Sequence, residues 1–481
     1  MNDVAAQPAW SVRLALRCAA FAERWFPDAY VFAAIGVVVI AAFAMGFGAS
    51  PAQVAQRFGE GYWSLIPFTM QMAFVVIGGF VVATAPPVAR LIDRLARLPR
   101  TGRGAVCFVA LLSMGSSLLS WGFSLVFAGL LVRALARRRE LDMDYRAAGA
   151  AAYLGLGAVW ALGLSSSAAQ LQANPASMPP GLLQVTGVLP FTQTILLWQS
   201  VLMAAILIAA SLLVCWLTAP TGAAARTAEN FAGATVDVET PPLPPAPDST
   251  RRPGEWLEHS PLLVILLSLL GFGWLALEFI DKPLVTAIAN LNTYNFLFLS
   301  LGLLLHWRLR SFLDAVTRAV PATAGVLIQF PLYGGMALIL THATGADGVA
   351  LSHRLAQLFV RIANHDTFAA VMGVYSAVLG FFVPSGGGKW IIEAPYVMQA
   401  ANELHFHLGW TVQIYNAAEA LPNLINPFWM LPLLGILGLR ARDLVGFTFV
   451  QLLVHVPLVL GLLWLLGETL VYLPPVMPAG G

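Results

Sequence analysis

Charge is scarce in this sequence. Asp, Glu, Lys and Arg make up 10% of its 481 residues, where a soluble chain carries about a quarter. A chain so poor in charge cannot cover a globule with a hydrated surface, so a set of soluble domains is excluded. Lysine is almost missing: Lys282 and Lys389 apart, the 26 basic residues are arginines, and the formal net charge is +2. No basic face is available to meet phosphates, which excludes nucleic acid as a partner. The 3 cysteines, Cys18, Cys107 and Cys215, form neither a disulfide framework nor a metal-ligand spacing. His342, His353, His365 and His455 stand apart, and the closer His405 and His407 lie in a polar loop, so no metal site is expected. Gly388-Lys389 is not part of a phosphate-binding loop, because Val383 stands where glycine is needed and Trp390 where Ser or Thr is needed. No cofactor is expected.

Apolar residues are abundant instead, at 58%. A membrane span needs ~20 apolar residues to cross ~30 Å of hydrocarbon. Candidate segments run 29–47, 66–85, 105–132, 147–168, 195–217, 260–280, 286–306, 321–342, 367–401, 409–439 and 444–467. They predict an all-α polytopic membrane protein in a lipid bilayer. In residues 1–28, Trp10, Leu14, Cys18, Phe21 and Trp25 recur at helical spacing away from Arg13, Arg17 and Arg24. That pattern fits an interfacial amphipathic helix, with the N-terminus cytoplasmic, better than a signal peptide.

Residues 218–258 hold Pro241, Pro242, Pro244, Pro245, Pro247 and Pro253 among scattered charges. Such composition reads as a flexible cytoplasmic linker dividing the chain into a first repeat, 29–217, and a second, 286–467. A connecting span, 259–285, precedes the second repeat, and 468–481 form a tail. Arginines decide the topology. Five (Arg90, Arg94, Arg97, Arg100, Arg103) precede segment 105–132 and five (Arg133, Arg137, Arg138, Arg139, Arg146) follow it. If 105–132 and 367–401 are re-entrant hairpins, 21 basic residues are cytoplasmic, four are outside and one is in the membrane. If the first hairpin crosses, 11 lie inside and 14 outside. The hairpin reading wins. The second hairpin rests on likeness to the first: Arg94-Leu95-Ala96-Arg97-Leu98 matches Arg354-Leu355-Ala356-Gln357-Leu358, and Gln71 with Gly78-Gly79 matches Gln329 with Gly334-Gly335. Since the two hairpins then enter from opposite faces, the halves are inverted-topology repeats of the kind many secondary transporters use.

Unwound backbone survives at membrane depth only where protein or a water-filled cavity surrounds it. Four places carry that signal. Two are hairpin tips: Ser116, Ser117, Ser120, Trp121 and Gly122 in the first, and Ser385, Gly386, Gly387, Gly388, Lys389 and Trp390 in the second. Two are breaks in the following helices: Ser165, Ser166 and Ser167, and the stretch from Asn416 through Glu419 and Asn423 to Asn426-Pro427. Free N–H groups at half-helix starts suit a carboxylate and exposed carbonyls suit a cation, which makes the tips candidate substrate ligands and the breaks candidate ion-coupling sites. Triple glycine lets backbone approach a ligand closely.

Lys389, Glu393 and Glu419 are charges at membrane depth, each costing about 2.5–3.5 kcal/mol on insertion scales. Lys389 and Glu393 are four apart on one helix face. Either they neutralise one another, or Lys389 attracts an anionic substrate and Glu393 holds it meanwhile. Glu419 has no basic neighbour in sequence, and is a candidate proton carrier or a bracket for the broken helix. Gln71 and Gln329 either hydrogen-bond the tips or join helices. Trp121 and Trp390 either stack on substrate or wedge the hairpins.

At these residues the sequence resembles the short-chain fatty acid transporter family, bacterial inner-membrane carriers associated with acetoacetate and butyrate uptake. The strings are Phe68-Thr69-Met70-Gln71-Met72-Ala73, Trp121-Gly122-Phe123, Val326-Leu327-Ile328-Gln329-Phe330-Pro331, Val383-Pro384-Ser385-Gly386-Gly387-Gly388 and Asn426-Pro427-Phe428-Trp429, with Glu419 and Asn423 also placed similarly. The likeness spans nearly the whole chain apart from the linker. One departure bears on mechanism: the family pattern has His and Gln where this chain has Lys389 and Glu393, so a proton role at the first position is in doubt. The resemblance implies symport of a small carboxylate with H+ or Na+ across the bacterial inner membrane. Two rivals are an anion channel, which shares the hairpins, and a membrane-embedded acyl-processing enzyme, for which no nucleophile–base set is visible. A homodimer stays open, because apolar faces for lipid and for a second copy read alike.

Overall fold

The computed structural model describes residues 29–64, 66–164, 166–173, 180–231, 233–234, 253–282, 291–351, 361–382 and 386–477, with positions 10, 13, 14, 17, 24, 175, 287 and 354. Among them the chain is helical and without strands. Six helical stretches among the described residues are long and apolar enough to span a membrane.

In the first half, α1 (Ala29–Gly46) leads to α2 (Pro51–Ser64) and α3 (Ile66–Thr84). Helix α4 (Pro86–Ala96) starts on a proline that needs no hydrogen-bond partner at that place, and buries Ile92 and Ala96. Then come α5 (Gly102–Ser117) and α6 (Trp121–Ala136), and α7 (Tyr145–Leu154). Helix α7 widens into a π-turn at Gly155–Val159 and a 3-10 turn at Trp160–Leu162 before α8 (Ser167–Ala173). After α9 (Pro180–Thr186), α10 (Trp198–Thr218) closes the half. The second half has α11 (Leu262–Asp281), α12 (Leu291–His306), α13 (Leu309–Ala319) and α14 (Ala324–His342). It continues with α15 (Phe368–Phe382), α16 (Gly386–Glu403), α17 (Leu408–Asn423), α18 (Pro427–Leu437) and α19 (Ala441–Gly467).

Segment 105–132 folds as a hairpin. Helices α5 and α6 have 16 residues each, about 24 Å at 1.5 Å per residue, short of a full crossing. Ser120 turns the chain by capping α6, its Oγ accepting from Phe123 N–H at 3.2 Å. At the base, Arg138 Nη1 donates to the carbonyls of Ala96 (2.8 Å) and Pro99 (2.7 Å), so the two arginine-rich loops lie on one side of the molecule. In the second half, the Phe368 ring at the start of α15 and the Phe406 ring just beyond α16 sit 4.9 Å apart, bringing those two ends together.

The halves interlock. Helix α2 crosses α14 where Gly61 meets the Gly334 backbone and Gly335 meets Phe58, small residues permitting close approach. Helices α10 and α19 are joined by Ser211 Oγ donating to His455 Nε2 (3.1 Å) and Gln451 Nε2 donating to Ser211 O (3.1 Å).

One expected region looks different in detail. The first part of the linker is packed rather than loose: Asp144 Oδ2 accepts from Arg226 N–H (3.0 Å), Tyr145 N–H donates to Arg226 O (2.8 Å), and Ala228 is buried. The cause is Asp144, a buried carboxylate that also caps Ala147 N–H and pairs with Arg146. The proline cluster at 241–247 lies outside the described residues. So does most of the interfacial segment, of which Trp10, Arg13, Leu14, Arg17 and Arg24 are helical.

Candidate functional site

Three helices of the second half deliver charge to one point. From α16, Lys389 is fully buried, and its Nζ lies 2.6 Å from Glu419 Oε2 on α17 and 3.3 Å from Glu393 Oε1 one turn along its own helix. Helix α15 supplies Ser376, whose carbonyl accepts from Lys389 Nζ at 2.7 Å and whose Oγ lies 3.0 Å from Nζ. The same hydroxyl donates to Glu393 Oε2 at 2.9 Å. The Tyr415 ring sits under the ammonium, 4.6 Å from Nζ to its centroid. One positive charge thus stands among two carboxylates, sealed from lipid and water. Spacing exposes the Glu393 contact but hides the Glu419 one: the acid without a basic neighbour in sequence has Lys389 against it in space. Gly380 lets α15 close on this cluster, since a Cβ there would lie 2.8 Å from Glu419 Oε2 and 3.3 Å from Lys389 Nζ.

The start of α16 is a second focus. Tyr415 Oη donates to Gly386 O at 2.7 Å, and the Tyr415 and Trp390 rings are 4.6 Å apart. The Trp160 indole fills the space that a Cβ on Gly386 would need, and Ser167 borders Gly387. Ser166 Oγ donates to Asn416 Oδ1 (2.9 Å), and Asn416 Nδ2 donates to Gln413 Oε1 (2.6 Å). The break between α7 and α8 therefore touches both the beginning of α16 and the middle of α17. It also touches the first hairpin, where Leu164 N–H donates to Leu118 O at 2.7 Å.

Several buried polar atoms here have no hydrogen-bond partner: Trp160 Nε1, Trp390 Nε1, Gln413 Nε2, and both amide atoms of Asn423. Each such group left unmet costs about 1–3 kcal/mol.

The other predicted residues are placed as follows. Ser116 Oγ donates back to Leu112 O at 2.6 Å, within its own helix. Ser117 is buried at the end of α5. Trp121 stands edge-on to Trp429 at 5.4 Å, a wedge between the halves, and Gly122 lies against Val75. Asn423 O accepts from Tyr153 Oη at 2.6 Å, and Asn426 Nδ2 donates to Phe381 O at 3.5 Å. Gly388 is in the first turn of α16, while Ser165 and Ser385 lie outside the described residues. Gln71 donates to Asn292 Oδ1 at 2.8 Å and joins α3 to α12. Gln329 is buried with Oε1 unpartnered and makes no hydrogen bond to either tip among the described residues. Sequence reasoning passes over Ser376, Gly380, Trp160, Gln413 and Tyr415. All five sit inside apolar runs, where a lone hydroxyl, amide or indole reads as packing.

The model of the family described as Short chain fatty acid transporter matches residues 11–466. The chain belongs to that family. An Escherichia coli (strain K12) protein provisionally named a short-chain fatty acid transporter is 31% identical over 452 residues, 94% of this chain and 97% of that one. A Haemophilus influenzae protein named likewise is 29% identical over 457 residues, 92% and 98% of the two chains. Two solved structures overlay more loosely. Neisseria gonorrhoeae MtrF, from a class described as antimetabolite efflux pumps, gives a TM-score of 0.46 at 12% identity over 96% of this chain and all of its own. The Alcanivorax borkumensis YdaH transporter gives 0.44 at 14% identity over 92% and 98%. The family is one of transporters, not enzymes, and this member is a multi-pass membrane protein.

Proposed function

We propose that the protein is a secondary active carrier that brings a short-chain monocarboxylate, such as butyrate or acetoacetate, across the bacterial inner membrane with H+ or Na+. The observation that carries this reading is the sealed cluster of Lys389, Glu393, Glu419 and Ser376 at the meeting of α15, α16 and α17. A channel needs no such closed ion pair, whereas a carrier needs charges whose balance changes when cargo arrives. The arriving carboxylate sits at the start of α16, where the free N–H groups of the first turn face it and the positive field of Lys389 lies one turn away. It competes with Glu419 for that field, and Glu419 then takes the coupling cation. Asn416, Asn423 and Asn426, with Ser166 and Ser167, surround that exchange.

The two halves act as inverted repeats, the N-terminus faces the cytoplasm, and the hairpins with their broken helices move against the remaining helices to alternate access. Proteoliposomes loaded with the full-length protein and given labelled butyrate under an imposed ΔpH or Na+ gradient test this. Uphill accumulation supports the carrier. Downhill-only flux supports a passive channel, and chemical conversion of the label supports an enzyme.

A further inference from the structure

Counting donors at the two foci separates charge from contact. An ammonium has three N–H bonds, and around Lys389 Nζ stand Ser376 O, Ser376 Oγ, Glu419 Oε2 and Glu393 Oε1, all within 3.3 Å. Lys389 Nζ is thus already surrounded by the protein's own oxygens, and cargo would have to displace one of them to touch it. The opposite holds around Gly386 and Gly387: the indole N–H groups of Trp160 and Trp390 and one amide nitrogen of Gln413 are buried and unmet. Trp160 is 4% exposed, and Trp390 and Gln413 are fully buried. Trp160 lies directly on Gly386, Trp390 follows one turn later, and Gln413 reaches the same region through Asn416 and Ser166.

Resting on the carrier reading, we infer that the cargo carboxylate is hydrogen-bonded by Trp160 Nε1–H and Gln413 Nε2–H at the N-terminus of α16, and that Lys389 acts on it through space without touching it. The orphaned groups beside the start of α16, the Trp160 and Trp390 indoles and the Gln413 amide nitrogen, are donors, so the ligand they fit is an acceptor. An acid in its ionised form offers two oxygens and no proton, which matches indole and amide N–H groups together with the free N–H groups of a helix start. A neutral amide or alcohol would bring its own donor to a place already rich in them. Since Trp160 belongs to the break in the first half and Gln413 to α17 in the second, one small anion would tie the halves together when bound.

The test is concentration-dependent uptake of labelled butyrate by the full-length protein in liposomes, comparing wild type with Trp160→Phe, Trp160→His and Gln413→Leu, with melting temperature in detergent as a control. Phe keeps the ring and removes the N–H; His restores a ring N–H. The expected result is a KM about tenfold higher for Trp160→Phe and for Gln413→Leu with kcat within about twofold, and recovery of part of the loss in Trp160→His. A wild-type KM in Trp160→Phe and Gln413→Leu overturns the inference and leaves the carrier reading standing. So does a loss in Trp160→Phe that follows a fall in melting temperature and is not regained with His, which makes Trp160 a packing residue. Absence of uptake by wild type overturns the carrier reading and this inference with it.

Discussion

Lys389 Nζ stands 2.6 Å from Glu419 Oε2, and that contact fastens the inner arm of the second hairpin to the broken helix behind it. Both residues are almost wholly buried, and Glu393 shares the same ammonium. Removing the cation leaves two carboxylates facing each other away from water, which costs about 3–5 kcal/mol for a buried pair. Lys389→Ala should therefore lower the melting temperature in detergent sharply and abolish uptake. The triple change Lys389→Met, Glu393→Gln, Glu419→Gln should recover the melting temperature without recovering transport. A Lys389→Ala protein as stable as wild type would show that the ion pair does not support the fold.

Glu419→Gln removes one negative charge while keeping shape. Uptake driven by ΔpH should disappear, and exchange of labelled for unlabelled butyrate should persist. Measuring both in one liposome preparation decides the point, because equal loss of the two would take Glu419 out of coupling and place it in binding or folding.

Gly380 and Gly373 lie on the same helix and differ in what a methyl group would meet. At 380 it would press on Glu419 Oε2 at 2.8 Å and Pro422 Cγ at 3.0 Å; at 373 it would meet the flexible end of Leu460 at 2.9 Å. Overpacking of this kind costs about 1–3 kcal/mol where the neighbour cannot yield. Gly380→Ala should cut uptake several-fold and Gly373→Ala should be close to silent. Equal effects at the two positions would mean that α15 is not held against the charge cluster.

The base of the first hairpin gives a chemical test of topology. With Cys18, Cys107 and Cys215 replaced by Ser, single cysteines at Arg97 and at Arg138 should both react with an impermeant maleimide from the same face, since Arg138 reaches the carbonyls of Ala96 and Pro99. Labelling from opposite faces would undo the re-entrant hairpin and the alternating-access proposal built on it.

Much of this fold can be read from sequence because hydrocarbon thickness sets segment length. The apolar run 195–217 becomes α10 at Trp198–Thr218, and 444–467 becomes the greater part of α19. Arginine crowding on both flanks of 105–132 is what suggests that this segment folds back, and α5 and α6 are the two helices it forms. The Lys389–Glu393 contact is equally visible, being a property of four-residue spacing. Its other half is not: Glu419 is brought to Lys389 by tertiary packing across thirty positions, which no local pattern reports. The contact of Gln71 with Asn292 is equally hidden, because its matching place relative to Gln329 says nothing about a neighbouring helix. Composition of the linker is dominated by the prolines at 241–247 and masks the packed stretch before them, whose order comes from distant partners such as Asp144 and Tyr145. Trp160 and Gln413 escape notice for another reason. Indoles and amides in apolar runs are ordinary, and only an unmet N–H in a finished fold sets these two apart.

The hydrogen bond from Leu164 to Leu118 has a consequence for how the two loops divide their labour. It occupies a carbonyl at the turn of the first hairpin with a backbone partner from the helix behind, so that turn is stapled shut. Near Gly386, by contrast, the Trp160 and Trp390 indoles and the Gln413 amide keep unmet donors. On the carrier proposal, displacement between the inward-open and outward-open states should therefore be concentrated around the start of α16 and be small at the Leu118 turn.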